Sequence, residues 1–107
     1  MSESNLVDDY RSNLYAKMAE YQIPDYMQTG LAAYIMDGSP VGHFLTAVLE
    51  NNLAAAVHRG DEINQERLHL YIKFLHNHAP NGCWGREGVM QYWRERGGMR
   101  AAILAMK

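Results

Sequence analysis

The sequence predicts an all-α fold: a single compact domain of five or six short helices. Apolar residues recur every three or four positions through most of the chain, which is the spacing of amphipathic helices. No stretch alternates apolar and polar residues over more than a few positions, as a half-buried strand would. A length of 107 residues is typical of one domain, since two would each be too small for a good core.

The first two helices are predicted over residues 4–21 and 24–37. Apolar side chains recur four residues apart in the first of them, at Leu6, Tyr10, Leu14 and Met18. Pro24 suits the first position of the second helix, and Gly38 suits the position just after its last turn. The second helix carries its apolar stripe at Met27, Leu31, Tyr34 and Ile35.

The third and fourth helices follow the corner made by Ser39-Pro40. Asn51-Asn52 could interrupt the third helix, because neither residue favours a helix interior. Arg59-Gly60-Asp61 indicates a stop and then the N-cap of a fourth helix over 61–78. That helix carries two apolar stripes, one at Leu68, Tyr71, Ile72 and Leu75, the other at Ile63, Leu70 and Phe74. So wide an apolar arc favours a central helix or one shared with a second subunit, and a homo-oligomer is predicted.

The C-terminal third begins with a turn cluster at 79–82. A fifth helix is predicted from Arg86 through Arg96, and a short tail helix over 99–106 follows Gly97-Gly98. The expected organisation is an N-terminal amphipathic helix at 1–22, a helical core domain at 23–97 and a tail helix at 98–107.

Charge and composition exclude several classes of function. The net charge is −2, and no Lys/Arg cluster is dense enough for a long nucleic acid. Basic residues do collect near the C-terminus, where they suit a small anion or an acidic protein surface. No apolar run approaches the roughly 18–20 residues that span a bilayer. Cys83 is the single cysteine and the N-terminus lacks the features of a signal peptide, so a cytoplasmic protein is expected.

One set of motifs resembles a known family. The motifs are Gly42-x-Phe44-Leu45-x-Ala47-Val48-Leu49-x-Asn51-x-Leu53, then Asp61-x-x-Asn64, then Pro80-x-Gly82-Cys83-Trp84-Gly85 with Trp93. Residues 23–93 thereby resemble a family of small proteins found in bacteriophage and prophage genomes. Its members usually read Asn-Asp where this chain has Asn51-Asn52. The resemblance implies a phage accessory protein in the host cytoplasm, a class rich in inhibitors of host functions and defence systems.

The strongest candidate ligand site in the sequence is Trp84-Gly85-Arg86. A flat aromatic ring, a glycine and an arginine at the start of the predicted fifth helix suit a small nucleotide, because helix N-termini attract phosphate. The favoured alternative is that Trp84 packs back onto the helix as a hydrophobic staple. His43 and Asn64 are further candidates for ligand binding. Alternatively His43 faces solvent, and Asn64 lies on a first turn capped by Asp61 or makes a polar bond in the core.

Metal and cofactor sites are not predicted. The five histidines contain no pair at the i, i+4 spacing of helical metal ligands, and a Cys-based zinc site needs more than one cysteine. Cys83 is either a thiolate, with a pKa lowered by the helix that follows it, or a small buried hydrophobe.

The leading functional hypothesis is a non-enzymatic binding protein that inhibits or sequesters a host component, expected to belong to an anti-phage defence system. Seven Tyr and seven Met residues exceed the needs of so small a core, and both types are enriched in protein interfaces. The target is expected to be a host protein or a small nucleotide signal. The alternatives are a small hydrolase using His43 or Cys83 and a minor virion assembly protein.

Overall fold

The computed structural model describes the backbone of residues 3–106, and in this part of the chain all regular secondary structure is helical, with no strand. Its helices are α1 (Glu3–Glu20), α2 (Asp25–Asp37), α3 (His43–Leu49), α4 (Leu53–Arg59), α5 (Glu62–Glu66), α6 (Leu68–His78), α7 (Val89–Glu95) and α8 (Gly98–Leu104). The predicted all-α class is confirmed. More segments form than the five or six expected, because two of the predicted helices are interrupted.

The predicted third helix is interrupted at Asn51-Asn52, as its sequence suggested. Asn51 adopts a left-handed conformation with φ 60°, which a helix interior does not accept. Asn52 then caps α4 by accepting a hydrogen bond from the Ala55 backbone N–H at 3.1 Å. The chain therefore turns between α3 and α4, and these two short helices pack closely on each other.

The predicted fourth helix divides at Arg67, a break that its sequence did not indicate. Asp61 is its N-cap as expected and accepts from the Asn64 N–H at 2.7 Å. Arg67 leaves the helical conformation (φ −101°, ψ 8°), and its guanidinium donates to the Gln22 carbonyl at 2.9 Å. The break accompanies this contact with the turn between α1 and α2.

The predicted fifth helix starts three residues late, at Val89 instead of Arg86. Gly88 has φ 81°, so residues before it cannot continue the helix, and Val89 N–H instead closes a turn onto the Arg86 carbonyl at 3.2 Å. Gly82 and Gly85 also have positive φ angles. Residues 79–88 therefore form an ordered loop, which we call the glycine loop.

One hydrophobic core receives side chains from every helix except α5. Its fully buried large side chains are Leu14, Met18, Leu31, Tyr34, Ile35, Met36, Leu49, Tyr71, Phe74, Leu75 and Val89, with Cys83 from the glycine loop. α1 packs against α2, α6 and α8 and supplies Val7, Leu14 and Met18. The predicted N-terminal amphipathic helix thus contributes side chains to the same core as the helices that follow it.

Candidate functional site

The predicted site residues lie in three different parts of the fold. Trp84 and Gly85 are half-buried in the glycine loop, and Arg86 beside them is exposed. His43 is exposed at the first residue of α3. Asn64 is buried at 3% exposure inside α5. No polar contact of the described residues joins these side chains into one site.

The expected phosphate site at Trp84-Gly85-Arg86 lacks the helix N-terminus on which it was based. The helix begins at Val89, and the Gly85 N–H donates to the Leu49 carbonyl at 2.7 Å. This N–H ties the glycine loop to the C-terminal end of α3 and is not free for an anion. Trp84 packs against the hydrophobic core, so it contributes to packing, although not as a staple of the expected helix.

The hollow beside this segment also lacks a favourable charge for phosphate. Its volume is about 610 Å³, and its walls include Arg86 together with Glu50 and Glu87. Two carboxylates beside one guanidinium disfavour an anionic ligand there. The helix-terminus rationale for a nucleotide at this position is therefore wrong.

Asn64 has a structural hydrogen bond in the core. Its side-chain Oδ1 accepts from the Tyr71 hydroxyl at 2.6 Å, and its backbone N–H donates to the capping carboxylate of Asp61. Asp61 accepts a second bond, from the Tyr26 hydroxyl at 2.6 Å. This bond and the one from Asn64 lower the pKa of Asp61. Asn64 thus joins α5 to α6, and its amide oxygen is already occupied.

Cys83 lies wholly inside the core at 0% exposure. Burial raises the pKa of its thiol to about 12. The lowered pKa expected from a following helix is therefore wrong, because that helix starts six residues later and the thiol faces apolar neighbours. At neutral pH Cys83 is a protonated, inaccessible thiol. Among residues 3–106 no group of three or more His, Cys, Asp or Glu side chains is placed to hold a metal ion.

An apolar surface forms where α4 meets α6, and we define it as Leu53, Val57, Leu68 and Ile72. Leu53 is 65% exposed and Val57 is 44% exposed, which is high for large aliphatic side chains. Leu53, Leu68 and Ile72 line an open groove of about 560 Å³, with Gln65, His69 and Lys73 along its polar edge. Helical spacing in the sequence puts Leu53 and Val57 on one apolar stripe with Leu45, Val48, Leu49 and Ala56, and it does not indicate that these two side chains are exposed.

A second feature that the sequence did not indicate is an arginine–tyrosine cluster, defined as Arg86, Tyr92 and Arg96. The guanidinium carbons of Arg86 and Arg96 lie 4.8 and 5.1 Å from the centre of the Tyr92 ring. Arg96 follows Tyr92 by one helical turn, whereas Arg86 is brought back by the turn at Gly88. The helical spacing of Tyr92 and Arg96 was readable in the sequence, but the approach of Arg86 depends on the loop.

No protein family, no curated protein and no solved structure matches this chain. No helix within residues 3–106 combines the length and the apolar character needed to span a bilayer. The function is therefore inferred from the surfaces of the protein itself.

Proposed function

We propose that this chain is a non-enzymatic binding protein that holds a host protein on the apolar surface of α4 and α6. The observation that carries the proposal is the exposure of Leu53 beside Leu68 and Ile72 at an open groove. Covering one such aliphatic side chain contributes about 1.5–3 kcal/mol. A partner that covers the whole surface would gain several times that amount before the costs of association are subtracted.

Hydrogen bonds of Gln65, at the edge of the apolar surface, fix the position of the helices that form it. The Gln65 side-chain amide donates to the backbone carbonyls of Val57 at 2.6 Å and Gly60 at 3.0 Å. These bonds fasten the end of α4 to α5, and α6 follows α5 after one residue. A surface that is already ordered loses little conformational entropy on binding, which favours recognition of a protein partner.

The pattern of polar residues around this surface is that of an interface. An apolar centre is bordered by Gln65, His69 and Lys73, all of them exposed. Protein interfaces commonly combine an apolar centre with a polar rim. Binding is also favoured over a hydrolase that uses Cys83 as its nucleophile, because Cys83 is buried and protonated whereas a nucleophile must reach its substrate.

The biological setting of the proposal rests on the resemblance to phage proteins. In that setting the partner is a host component, most simply part of an anti-phage defence system, and the chain acts in the host cytoplasm by occupying it. A second copy of the chain could occupy the same apolar surface and make a homo-oligomer. This second copy would compete with the host protein for the surface.

The test is a comparison of Leu53→Asp with Leu6→Asp in capture of proteins from a bacterial host lysate. Leu53 is the first residue of α4 and Leu6 lies in the first turns of α1, so both aspartates face the favourable end of a helix dipole. Leu6 is also exposed, at 46%, which makes it a matched control. Both variants should keep the wild-type circular dichroism spectrum.

We expect wild type and Leu6→Asp to capture the same host protein, identified by mass spectrometry, and Leu53→Asp to lose it. Light scattering of the three purified proteins shows whether the surface is instead taken by a second copy. A captured protein that Leu53→Asp retains, or that both variants lose equally, would contradict the proposal.

A further inference from the structure

We propose that the arginine–tyrosine cluster and the groove beside it form a second site, which binds an organic phosphate of about nucleotide size. This site goes beyond the proposed function, since its lining shares no residue with the groove of the apolar surface. It also differs from the site expected at Trp84-Gly85-Arg86: of those three residues it uses Arg86 alone.

The Tyr92 ring is the part of the site that orders the two cations. An aromatic face attracts a guanidinium within about 6 Å of its centre, and both Arg86 and Arg96 satisfy that distance. Gly82 of the glycine loop lies beside the ring: a Cβ on Gly82 would be 3.5 Å from the ring carbon Cε2. The ring is therefore supported from the loop and is not a free surface side chain.

The cations of the cluster are not engaged in ion pairs. In the part of the chain whose side chains are described, neither Arg86 nor Arg96 forms an ion pair, whereas Arg11, Lys17 and Arg100 each do. Glu95, the carboxylate nearest to Arg96 in sequence, accepts a hydrogen bond from the Gln91 amide at 3.0 Å. Both guanidinium groups thus lie at one aromatic ring without an ion pair; Arg86 also borders the hollow that contains Glu50 and Glu87, whereas Arg96 does not.

The groove next to the cluster supplies space for the uncharged part of a ligand. It has a volume of about 550 Å³, within the roughly 300–1,000 Å³ usual for small-molecule sites. Tyr92 and Arg96 stand on one side of it, and small or apolar side chains of α8 form another wall, at Met99, Ala101, Ala102 and Ala105. Asn81 is the polar neutral side chain of the lining.

The chemical class of the ligand follows from Arg96, which lines the apolar groove, and from Arg86, which reaches the same site only through the ring of Tyr92. A single carboxylate carries one negative charge, but a phosphate monoester carries about −1.5 to −2 at neutral pH and offers three acceptor oxygens. Guanidinium groups bind phosphate through two parallel hydrogen bonds. The apolar wall of α8 favours a phosphate with an organic body over the free inorganic ion. The lining of this groove contains no carboxylate, in contrast to the hollow that holds Glu50 and Glu87.

Titration with adenosine diphosphate (ADP) tests the site, followed by calorimetry and by amide chemical shifts in NMR. Adenosine, inorganic pyrophosphate and a dipeptide of two glutamates are the comparison ligands. Arg86→Gln and Arg96→Gln each remove one cation of the cluster. Arg94→Gln is the matched control, because Arg94 is an exposed arginine on α7, the helix of Tyr92, but makes no cation–π contact with that ring. Circular dichroism melting establishes that all three variants are folded.

We expect ADP to bind saturably and to shift amide signals at the cluster and along α8. Adenosine, pyrophosphate and the dipeptide should each bind at least about tenfold more weakly. Arg86→Gln and Arg96→Gln should each weaken ADP binding about tenfold or more, while Arg94→Gln stays within about twofold of wild type. Three results would overturn the proposal: no saturable binding of ADP, equal weakening by Arg94→Gln, or a dipeptide that binds as tightly as ADP. Tight pyrophosphate binding equal to that of ADP would overturn the role of the groove.

Discussion

At the scale of single residues, buried hydroxyl groups connect separate elements of the fold. The Tyr34 hydroxyl donates to the Cys83 carbonyl at 2.6 Å and so attaches the glycine loop to α2. The Tyr71 hydroxyl donates to Asn64 Oδ1 at the same distance and attaches α6 to α5. Among the described side chains no buried polar atom lacks a hydrogen-bond partner. Removing one member of such a pair therefore leaves the other buried without a hydrogen bond.

Asn64→Ala should therefore destabilise the fold by about 1–3 kcal/mol, because it leaves the buried Tyr71 hydroxyl without an acceptor. Tyr71→Phe should cost a similar amount for the reciprocal reason, and the double variant should cost less than the two single costs combined. Urea denaturation measures all three. Asn13→Ala, at an exposed position of α1, is the control and should change the free energy of unfolding by less than about 0.5 kcal/mol. Additive costs in the double variant would show that the bond contributes nothing.

The raised pKa of the buried Cys83 thiol predicts that the folded protein loses stability at alkaline pH. The unfolded chain begins to lose the thiol proton near its ordinary pKa of 9.0, whereas the folded protein holds it up to about 12. Deprotonation therefore favours the unfolded chain, and the contribution of Cys83 is complete below about pH 9 and declines above it. Burial also raises the pKa values of Tyr34 and Tyr71, which adds a decline of the same sign at higher pH.

Comparison of wild type with Cys83→Ala isolates the contribution of the thiol, since both proteins keep the two tyrosines. Urea denaturation at a series of pH values should give the same slope below about pH 8 and a flatter decline for Cys83→Ala between about pH 9 and 10. Identical curves, displaced by a constant amount, would mean that the thiol titrates normally in the folded protein.

At the scale of helices, short elements depend on close backbone contacts. Gly98, the first residue of α8, lies against the backbone of α2: a Cβ there would meet the Met36 carbonyl and come within 2.7 Å of the Asp37 nitrogen. Arg100 on α8 then pairs with the Asp37 carboxylate at 2.6 Å. Trp93 on α7 donates its indole N–H to the Tyr34 and Ile35 carbonyls, 3.1 Å from each. The C-terminal turn of α2 is thus the place where α7 and α8 are fixed.

Gly98→Ala should consequently destabilise the protein much more than Gly88→Ala. Both glycines have positive φ angles, 69° and 81°, so both variants incur backbone strain of about 1–2 kcal/mol. A Cβ on Gly88 meets nothing within 4 Å, whereas one on Gly98 collides with α2 and should add at least about 1–3 kcal/mol. Thermal melting of the two variants gives the comparison. Equal melting temperatures would mean that α8 moves away from α2 without cost.

At the scale of the whole molecule, the described residues make one body with dimensions of 43 × 28 × 20 Å around a shared core. Two features of its surface are left without partners within the chain: the apolar surface of α4 and α6, and the arginine–tyrosine cluster of α7 and the glycine loop. The first suits a protein and the second a small anion. We therefore expect variants of one proposed binding surface to lose its ligand without affecting the other surface.

The fold should not depend on a bound metal. The described residues contain no group of metal-ligating side chains, and the chain has a single cysteine. Dialysis against EDTA should leave the melting temperature unchanged. A decrease of several degrees that zinc reverses would show that histidines form a metal site, for instance between two copies of the chain.

The helical class and most of the helix ends could be predicted from local sequence. Gly38 ends α2 in a left-handed conformation and Asp61 caps α5, as their residue types indicated, and Asn52 caps α4 at the point where the sequence predicted an interruption. These features depend on hydrogen bonds between residues three or four positions apart, so local sequence is sufficient to specify them.

Four features could not be predicted from local sequence, because they depend on tertiary contacts: the break at Arg67, the late start of α7, the burial of Cys83 and the cluster around Tyr92. Each depends on a partner that is remote in sequence or on a turn formed in packing: Arg67 contacts Gln22 across 45 positions, and Cys83 is held by Tyr34 across 49. The exposure of Leu53 arises in the same way, because helical periodicity shows which side chains share a face but not which faces the other helices leave uncovered. Binding sites on this protein are made of such uncovered faces, and for that reason the sequence located its helices better than its surfaces.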